Sequence, residues 1–314
     1  MKPLILGSTG QLGASLLARA QTLGLQAHGT DRTQLDFLQC RDDPLGFETR
    51  LEALIDSHSP SHILIAAAYT AVDKAEQDLA AAQAINAQAP GYIGRLAARH
   101  SIPVVHYSTD YVFNGQKPLS QAYSPNPALD PLDPQSVYGR TKAQGERSLI
   151  ESGATALVFR TSWVFSARGN NFLKTMIRLA QERDHLRVVS DQVGAPTSAE
   201  WLAEVSLQIC SAWPGAEAGS QARGLYHLTA AGSVSWHGFA QSLLAAAQAM
   251  APERPWTIRS SAQIEAITTA QFNAPAPRPQ NSQLDCARTE AEFQIKRPAW
   301  QDQMRAVLET LLRG

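Results

Sequence analysis

Leu4-Ile5-Leu6-Gly7-Ser8-Thr9-Gly10-Gln11-Leu12-Gly13 decides how the rest of the chain is read. A short apolar run reads as a buried strand, and the Gln11 to Leu23 segment carries Leu12, Leu16 and Leu23 on one helical stripe, with Gly24 as its stop. Between them the chain must turn sharply and present free backbone N–H groups at a helix N-terminus, an arrangement suited to a pyrophosphate. The spacing is GxxGxxG, not the GxGxxG of the dinucleotide fingerprint, but both need turn positions without side chains. Glycines alone would suit any tight turn. Their place between strand and helix points to a dinucleotide site at Gly7, Thr9, Gly10, Gln11, Leu12 and Gly13.

Further short apolar runs alternate with longer helix-period segments, as in a parallel sheet covered on both faces. The reading predicts strands at Gln26 to Thr30, His62 to Ile65, Val104 to Ser108 and Ala156 to Arg160. It predicts helices around Leu51 to Ile55, over Ala80 to His100 with a kink at Pro90, and over Tyr138 to Glu151. From Trp163 the alternation weakens, and helices at Asn171 to Glu182 and Trp236 to Met250 stand among irregular segments. The expected fold class is α/β: a Rossmann-like doubly wound parallel sheet with a smaller C-terminal substrate-binding lobe. Residues 1–162 are expected to form the NAD(P)-binding domain, joined again by segments near 185–200 and 224–230. Residues 163–314 are mainly the lobe.

Asp31 follows Gly13 by 18 residues, close to the roughly 20-residue separation at which an acid receives the ribose hydroxyls. Arg32 beside it can hold a 2′-phosphate, so the pair suits either cofactor; the reading leans to NADPH with tolerance for NADH. Tyr138 and Lys142 stand four residues apart, on one face of a helix. A lone YxxxK means little, but Ser108-Thr109-Asp110 precedes it at the carboxyl end of the fourth strand, where open α/β sheets bind ligands. A phenol has a pKa of about 10. Lys142 is expected to lower the pKa of Tyr138 so that it can donate a proton to a developing alkoxide, and to bond the nicotinamide ribose, while Thr109 orients a carbonyl.

These residues resemble the extended short-chain dehydrogenase/reductases and, within them, the dTDP-4-dehydrorhamnose reductase family. The resemblance runs nearly end to end, through Gly7 to Gly13, Ala66 to Glu76, His106 to Phe113, Tyr138 to Lys142, Phe159 to Val164, Asn170 to Phe172, Asp191 to Thr197, Gly224 to Leu228 and Arg278 to Ser282. It implies reduction of the C4 keto group of a dTDP-4-dehydro-β-L-rhamnose by NADPH or NADH. Thr109, Tyr138 and Lys142 are then the catalytic set. Thr70, Thr109, Asp110, Tyr111 and Trp163 meet the substrate, Asp36 and Phe37 lie near the adenine, and Ala66 and Ala67 lie along the cofactor. Ile65 departs from the family, which usually has Asn there. Some members are described as magnesium-linked dimers using two Glu residues. Here Ser15 occupies the first position and Glu200 the second, so magnesium and that homodimer are both in doubt, and no metal is assigned. Relatives that dehydrate or epimerise nucleotide sugars, and regulatory relatives that only bind cofactor, are the alternatives. A dehydratase typically has Asp-Glu after the strand-four Thr, whereas this chain has Asp110-Tyr111.

Two loop features carry secondary expectations. Asn171 is either an N-cap or a nucleotide-sugar contact, and Arg278 could neutralise a substrate diphosphate. The composition bounds the rest. With 314 residues, 44% hydrophobic and 18% charged, the chain has ample core material for about two domains. The 27 Lys+Arg against 28 Asp+Glu remove the electrostatic footprint of a nucleic-acid binder. No run approaches a membrane span or a signal peptide, and three scattered cysteines form neither disulfide framework nor zinc cluster. The eight histidines show no metal-ligand spacing. A cytoplasmic enzyme is expected, with a dTDP-sugar as its partner, no nucleic acid and no membrane.

Overall fold

Four-to-six-residue apolar runs have no length for a helix but enough to span a sheet buried on both sides. The computed structural model describes residues 1–213 and 223–313. Its first five strands are β1 (Pro3–Leu6), β2 (His28–Thr30), β3 (His62–Ile65), β4 (Val104–Thr109) and β5 (Ala156–Thr161), and every residue of β1, β3, β4 and β5 is buried. The strand Gly224–His227 pairs parallel with β5 and completes a six-stranded sheet in which β2 lies outside β1, followed inward by β3, β4 and β5. β1 pairs with both β2 and β3. The strand order therefore reverses between β1 and β3, which opens a crevice beyond their carboxyl ends.

Alternation assigns the two faces. Leu4, Leu6, Ile63, Ile65, Val104 and Val158 meet Phe47, Leu51, Ile93 and Leu96 on one side. Ile5, Leu64, Val105, Leu157 and Phe159 meet Leu16, Ala20, Trp201 and Leu202 on the other. Each such fully buried side chain contributes roughly 1.5–3 kcal/mol relative to exposure. A further core joins Phe165, Leu173, Ile177, Phe239, Leu243, Trp300 and Val307, and a small sheet pairs Leu186–Val189 with Ile264–Ile267. Among the described residues, no helix is long and apolar enough to cross a membrane.

Two expectations need adjustment. The second strand begins at His28, not Gln26, because Leu25 and Ala27 are still engaged in turn bonds after the first helix, Gln11–Thr22. The helix expected over Ala80 to His100 is instead Leu79–Gln83, a π-helical turn Ala84–Gln88, and Ala89–Arg99. Pro90 lacks an N–H and crowds the carbonyl four residues back, and the wider turn ahead of it accommodates both defects. A long helix is thus reshaped where it passes the crevice.

Candidate functional site

The turn after β1 is held open by backbone geometry. Gly7 has φ +88°, and a Cβ there would lie 2.7 Å from Ala67 N, so only glycine brings the two loops this close. Gly7 N and Ser8 N both donate to Thr30 O, at 3.0 and 2.8 Å, tying the loop to β2. Gly10 caps the first helix without a side-chain bond and no acid occupies its first turn. By contrast, Ser136, Asn171, Ser198 and Ser235 cap their helices with side chains. The first helix therefore directs unpaired N–H groups and the positive end of its dipole into the crevice.

That crevice is a cavity of about 620 Å³. Gly7, Thr9, Gly10, Gln11 and Leu12 line one end, with Asp31, Arg32, Asp36 and Phe37 beside them and Ala66 and Ala67 along the floor. Thr70, Thr109, Asp110, Tyr111, Tyr138, Lys142 and Trp163 line the remainder. Gly13 does not line it. A Cβ at Gly13 would lie 2.1 Å from Gly7 O, so this glycine lets helix and loop touch, behind the cavity. Asp31 Oδ1 accepts from Thr33 N at 2.8 Å and Thr33 Oγ1 at 2.6 Å, and these bonds to Thr33 draw its carboxyl below the ordinary range.

β4 runs directly into a 3₁₀ turn, Asp110–Val112, capped by the Thr109 hydroxyl. The helix Val137–Ile150 then presses onto that turn: a Cβ at Gly139 would lie 2.2 Å from Tyr111 O. This contact sets Tyr138 against Thr109 and Tyr111, the two tyrosine rings meeting edge to face at 5.4 Å. Thr109 Oγ1 donates to Asp110 Oδ1 at 3.0 Å. Burial pushes Asp110 up to about 6, opposed by hydrogen bonds from Ser282 and Thr109. Burial also pushes Tyr138 up to about 12, a rise that hydrogen bonding by Thr109 opposes and the Asp110 charge reinforces. Lys142 is buried and drawn down to about 8 by desolvation, with Glu146 acting the other way. The expected lowering of Tyr138 by Lys142 is thus not what this arrangement shows. The ammonium bonds Tyr107 O at 2.6 Å and His106 Nε2 at 3.2 Å.

Several neighbours were invisible to sequence reasoning. Asn86, in the π-helical turn, accepts from Tyr69 N at 2.8 Å and donates to Tyr69 O at 3.1 Å and Thr141 Oγ1 at 3.2 Å. It joins the loop bearing Thr70 to the helix bearing Tyr138. Trp236 also lines the cavity and stacks on Trp163 at 3.5 Å and 8°. Trp163 adopts φ +49°, turning its indole from the end of β5 toward the lobe. Ser108 and Thr161 line the cavity, and their hydroxyls are buried without a partner among the described residues. No sequence spacing marks Asn86 or Trp236, since each acquires meaning from a segment distant in the chain.

The secondary expectations also find their places. Asn171 is an N-cap, accepting from Lys174 N at 3.1 Å, and its amide also donates to Gln11 Oε1 at 2.8 Å, bridging lobe and glycine turn. Arg278 does not line the cavity; it pairs with Asp73 at 2.7 Å and donates to Ala276 O at 3.1 Å. Ser15 donates to Gln11 O within its own helix, and the Glu200 carboxylate accepts from Ser166 Oγ at 2.7 Å. Among the described residues, three side chains of metal-ligand type come together only at Glu52, Asp56 and His100, away from this cavity.

Fold and cleft together define a Rossmann-type α/β protein with a crevice beyond the carboxyl ends of its central strands. The chain matches the RmlD substrate binding domain model over residues 1–313, and it belongs to that family. It is 40% identical over 301 residues to a dTDP-4-dehydrorhamnose reductase from Burkholderia thailandensis, an alignment covering 96% of this chain and 95% of that protein. Among solved structures it is similar to a dTDP-4-dehydrorhamnose reductase ortholog from Clostridium acetobutylicum, with TM-score 0.85, 30% identity and 99% and 100% of the two chains covered. A dTDP-4-dehydrorhamnose reductase from Bacillus anthracis, crystallised with NADP, gives TM-score 0.84 and 27% identity over 98% and 99%.

Proposed function

We propose that this chain is an NAD(P)H-dependent oxidoreductase that reduces the C4 keto group of dTDP-4-dehydro-β-L-rhamnose to give dTDP-L-rhamnose. The observation that carries the reading is the convergence of Thr109, Tyr138 and Lys142 on the cavity that the glycine turn also lines. The names and near-complete overlap of the relatives support the substrate class.

The residues present suit a dinucleotide. The uncapped helix at Gly10, the close Gly7–Ala67 approach and the orphaned Ser108 and Thr161 hydroxyls offer donors and space that the protein itself does not use. Gly7 to Leu12 would receive the pyrophosphate. Asp31 and Arg32 would meet the adenosine ribose or its 2′-phosphate, Asp36 and Phe37 the adenine, and Ala66 and Ala67 the cofactor's length. Lys142 would bond the nicotinamide ribose. When bound, the reduced nicotinamide supplies hydride to the carbonyl carbon.

The chain's own part is proton delivery and orientation. A phenol at about 12 is protonated at neutral pH, so Tyr138 begins as a competent donor to the C4 oxygen. The burial that raises it also disfavours the phenolate left behind. The Thr109 hydroxyl opposes that penalty, while Lys142, still cationic near neutrality, stands one helical turn away to bond the nicotinamide ribose. Thr109 holds the carbonyl oxygen beside the phenol; Thr70, Asp110, Tyr111 and Trp163 hold the sugar nucleotide. Asp110 is followed by Tyr111 rather than Glu, which leaves the site without the extra acid–base pair of a dehydratase.

The test offers candidate 4-keto sugar nucleotides with NADPH or NADH and follows loss of reduced-nicotinamide absorbance. Stoichiometric oxidation with the dTDP-4-keto-rhamnose substrate is expected. Sugar conversion without net cofactor consumption would point to epimerase or dehydratase chemistry, and cofactor binding without turnover to a regulatory binder.

A further inference from the structure

His106 lies on β4 two residues before the cavity-lining Ser108, and it is fully enclosed. Its strand neighbours in register are Ile65 on β3 and Val158 on β5, neither of which can bond an imidazole. Its Nδ1 is buried without a protein partner. Among the described residues, the one polar contact of the ring is Nε2 to Lys142 Nζ, at 3.2 Å. An ammonium only donates hydrogen bonds, so Nε2 must be the acceptor, the ring must be neutral, and its proton must sit on Nδ1.

We propose that His106 is a positioning residue of this site, its Nε2 lone pair and the Tyr107 carbonyl together holding the Lys142 ammonium at the cavity wall. The inference rests on the catalytic reading of Lys142. An ammonium has three donors. Two are taken by acceptors on β4, at 3.2 and 2.6 Å, which leaves one for the cavity that Lys142 lines. A lysine stem has four rotatable bonds, and this pair of anchors fixes its head without adding a counter-charge.

The other groups facing Lys142 act differently. Glu146, one turn along the same helix, favours the ammonium, but its carboxylate is held bidentately by Arg160 of β5 at 2.9 and 2.6 Å. Tyr138, one turn back, is half-buried and protonated, and Asp110 acts on Tyr138. Burial first, and then the Lys142 charge, keep His106 well below the ordinary imidazole range, so it stays an acceptor across the working pH. Removing the acceptor withdraws a hydrogen bond to a charged group, and Lys142 should then lose its proton at lower pH.

The experiment has two arms. In the first, the alkaline limb of kcat/KM is compared for the intact protein, His106→Gln and His106→Phe. His106→Phe should move the limb down by about one pH unit, and His106→Gln, which keeps an acceptor, should restore most of it. A role in packing alone would lower rates without moving the limb, and coincident limbs overturn the proposal. In the second, nitrogen NMR of the unmodified protein with labelled histidine reads the His106 tautomer, its signal assigned by its loss in His106→Gln. The Nδ1–H form is expected, and the Nε2–H or doubly protonated form overturns the proposal. This arm needs no turnover, so failure of the proposed reaction and failure of the His106 assignment are told apart.

Discussion

A half-buried phenol and a buried ammonium one helical turn apart place opposite demands on pH. Tyr138 is lifted to about 12 and Lys142 is drawn down to about 8, both chiefly by desolvation. For Lys142 the unfolded chain holds its proton up to the ordinary 10.5, while the folded chain releases it near 8. Between those values the unfolded state binds more protons, so folded stability rises with pH. Against Lys142→Met, the intact protein should therefore gain up to about 1.4 kcal/mol per pH unit from about pH 8 to 10.5. Denaturant melts across that range check it, and a pH-independent difference would remove the lowered lysine. The type and spacing of Tyr138 and Lys142 were legible in the sequence. The direction in which Tyr138 shifts was not, because desolvation depends on what covers the helix.

Elements were legible wherever the signal is local. β1, β3, β4 and β5 each carry a short apolar run, and their alternating faces fill two cores. The π-helical turn at Ala84–Gln88 was only half legible: Pro90 announces a disturbance, while Asn86 in the turn bonds both Tyr69 and Thr141, which are distant in the chain. Gly13 was read as part of the cofactor contact, but it fits the physics of packing better, since Gly7 O fills the space a Cβ would need. Gly13→Ala should cost about 1–3 kcal/mol through overpacking and weaken NADPH binding by shifting the N–H groups of the first helix. Thermal unfolding and a cofactor fluorescence titration measure the two effects. Unchanged values in both would contradict the close contact.

At the scale of the molecule, the cavity is closed by long-range links that no motif displays. Asn171 reaches back 160 residues to Gln11, and Arg278 reaches Asp73 across 205. The two-residue strands after Trp163 and the Trp163–Trp236 stack were not legible, because their pairing is non-local. Asp73→Asn breaks an ion pair that holds the Ala276–Arg278 loop against the loop bearing Thr70. A rise in substrate KM of about two- to five-fold, with NADPH affinity unchanged, is expected from a partly exposed pair of this kind; initial rates against sugar-nucleotide concentration test it. With Ser15 bonded inside its helix and Glu200 occupied by Ser166, EDTA should leave turnover intact, and reversible loss restored by magnesium would contradict that. The most direct measurement of the central claim is single-turnover reduction by Tyr138→Phe alongside its NADPH affinity. The account predicts binding within a few-fold of the unmodified protein and a rate lower by about 10²- to 10⁴-fold; an unchanged rate would show that the proton comes from elsewhere.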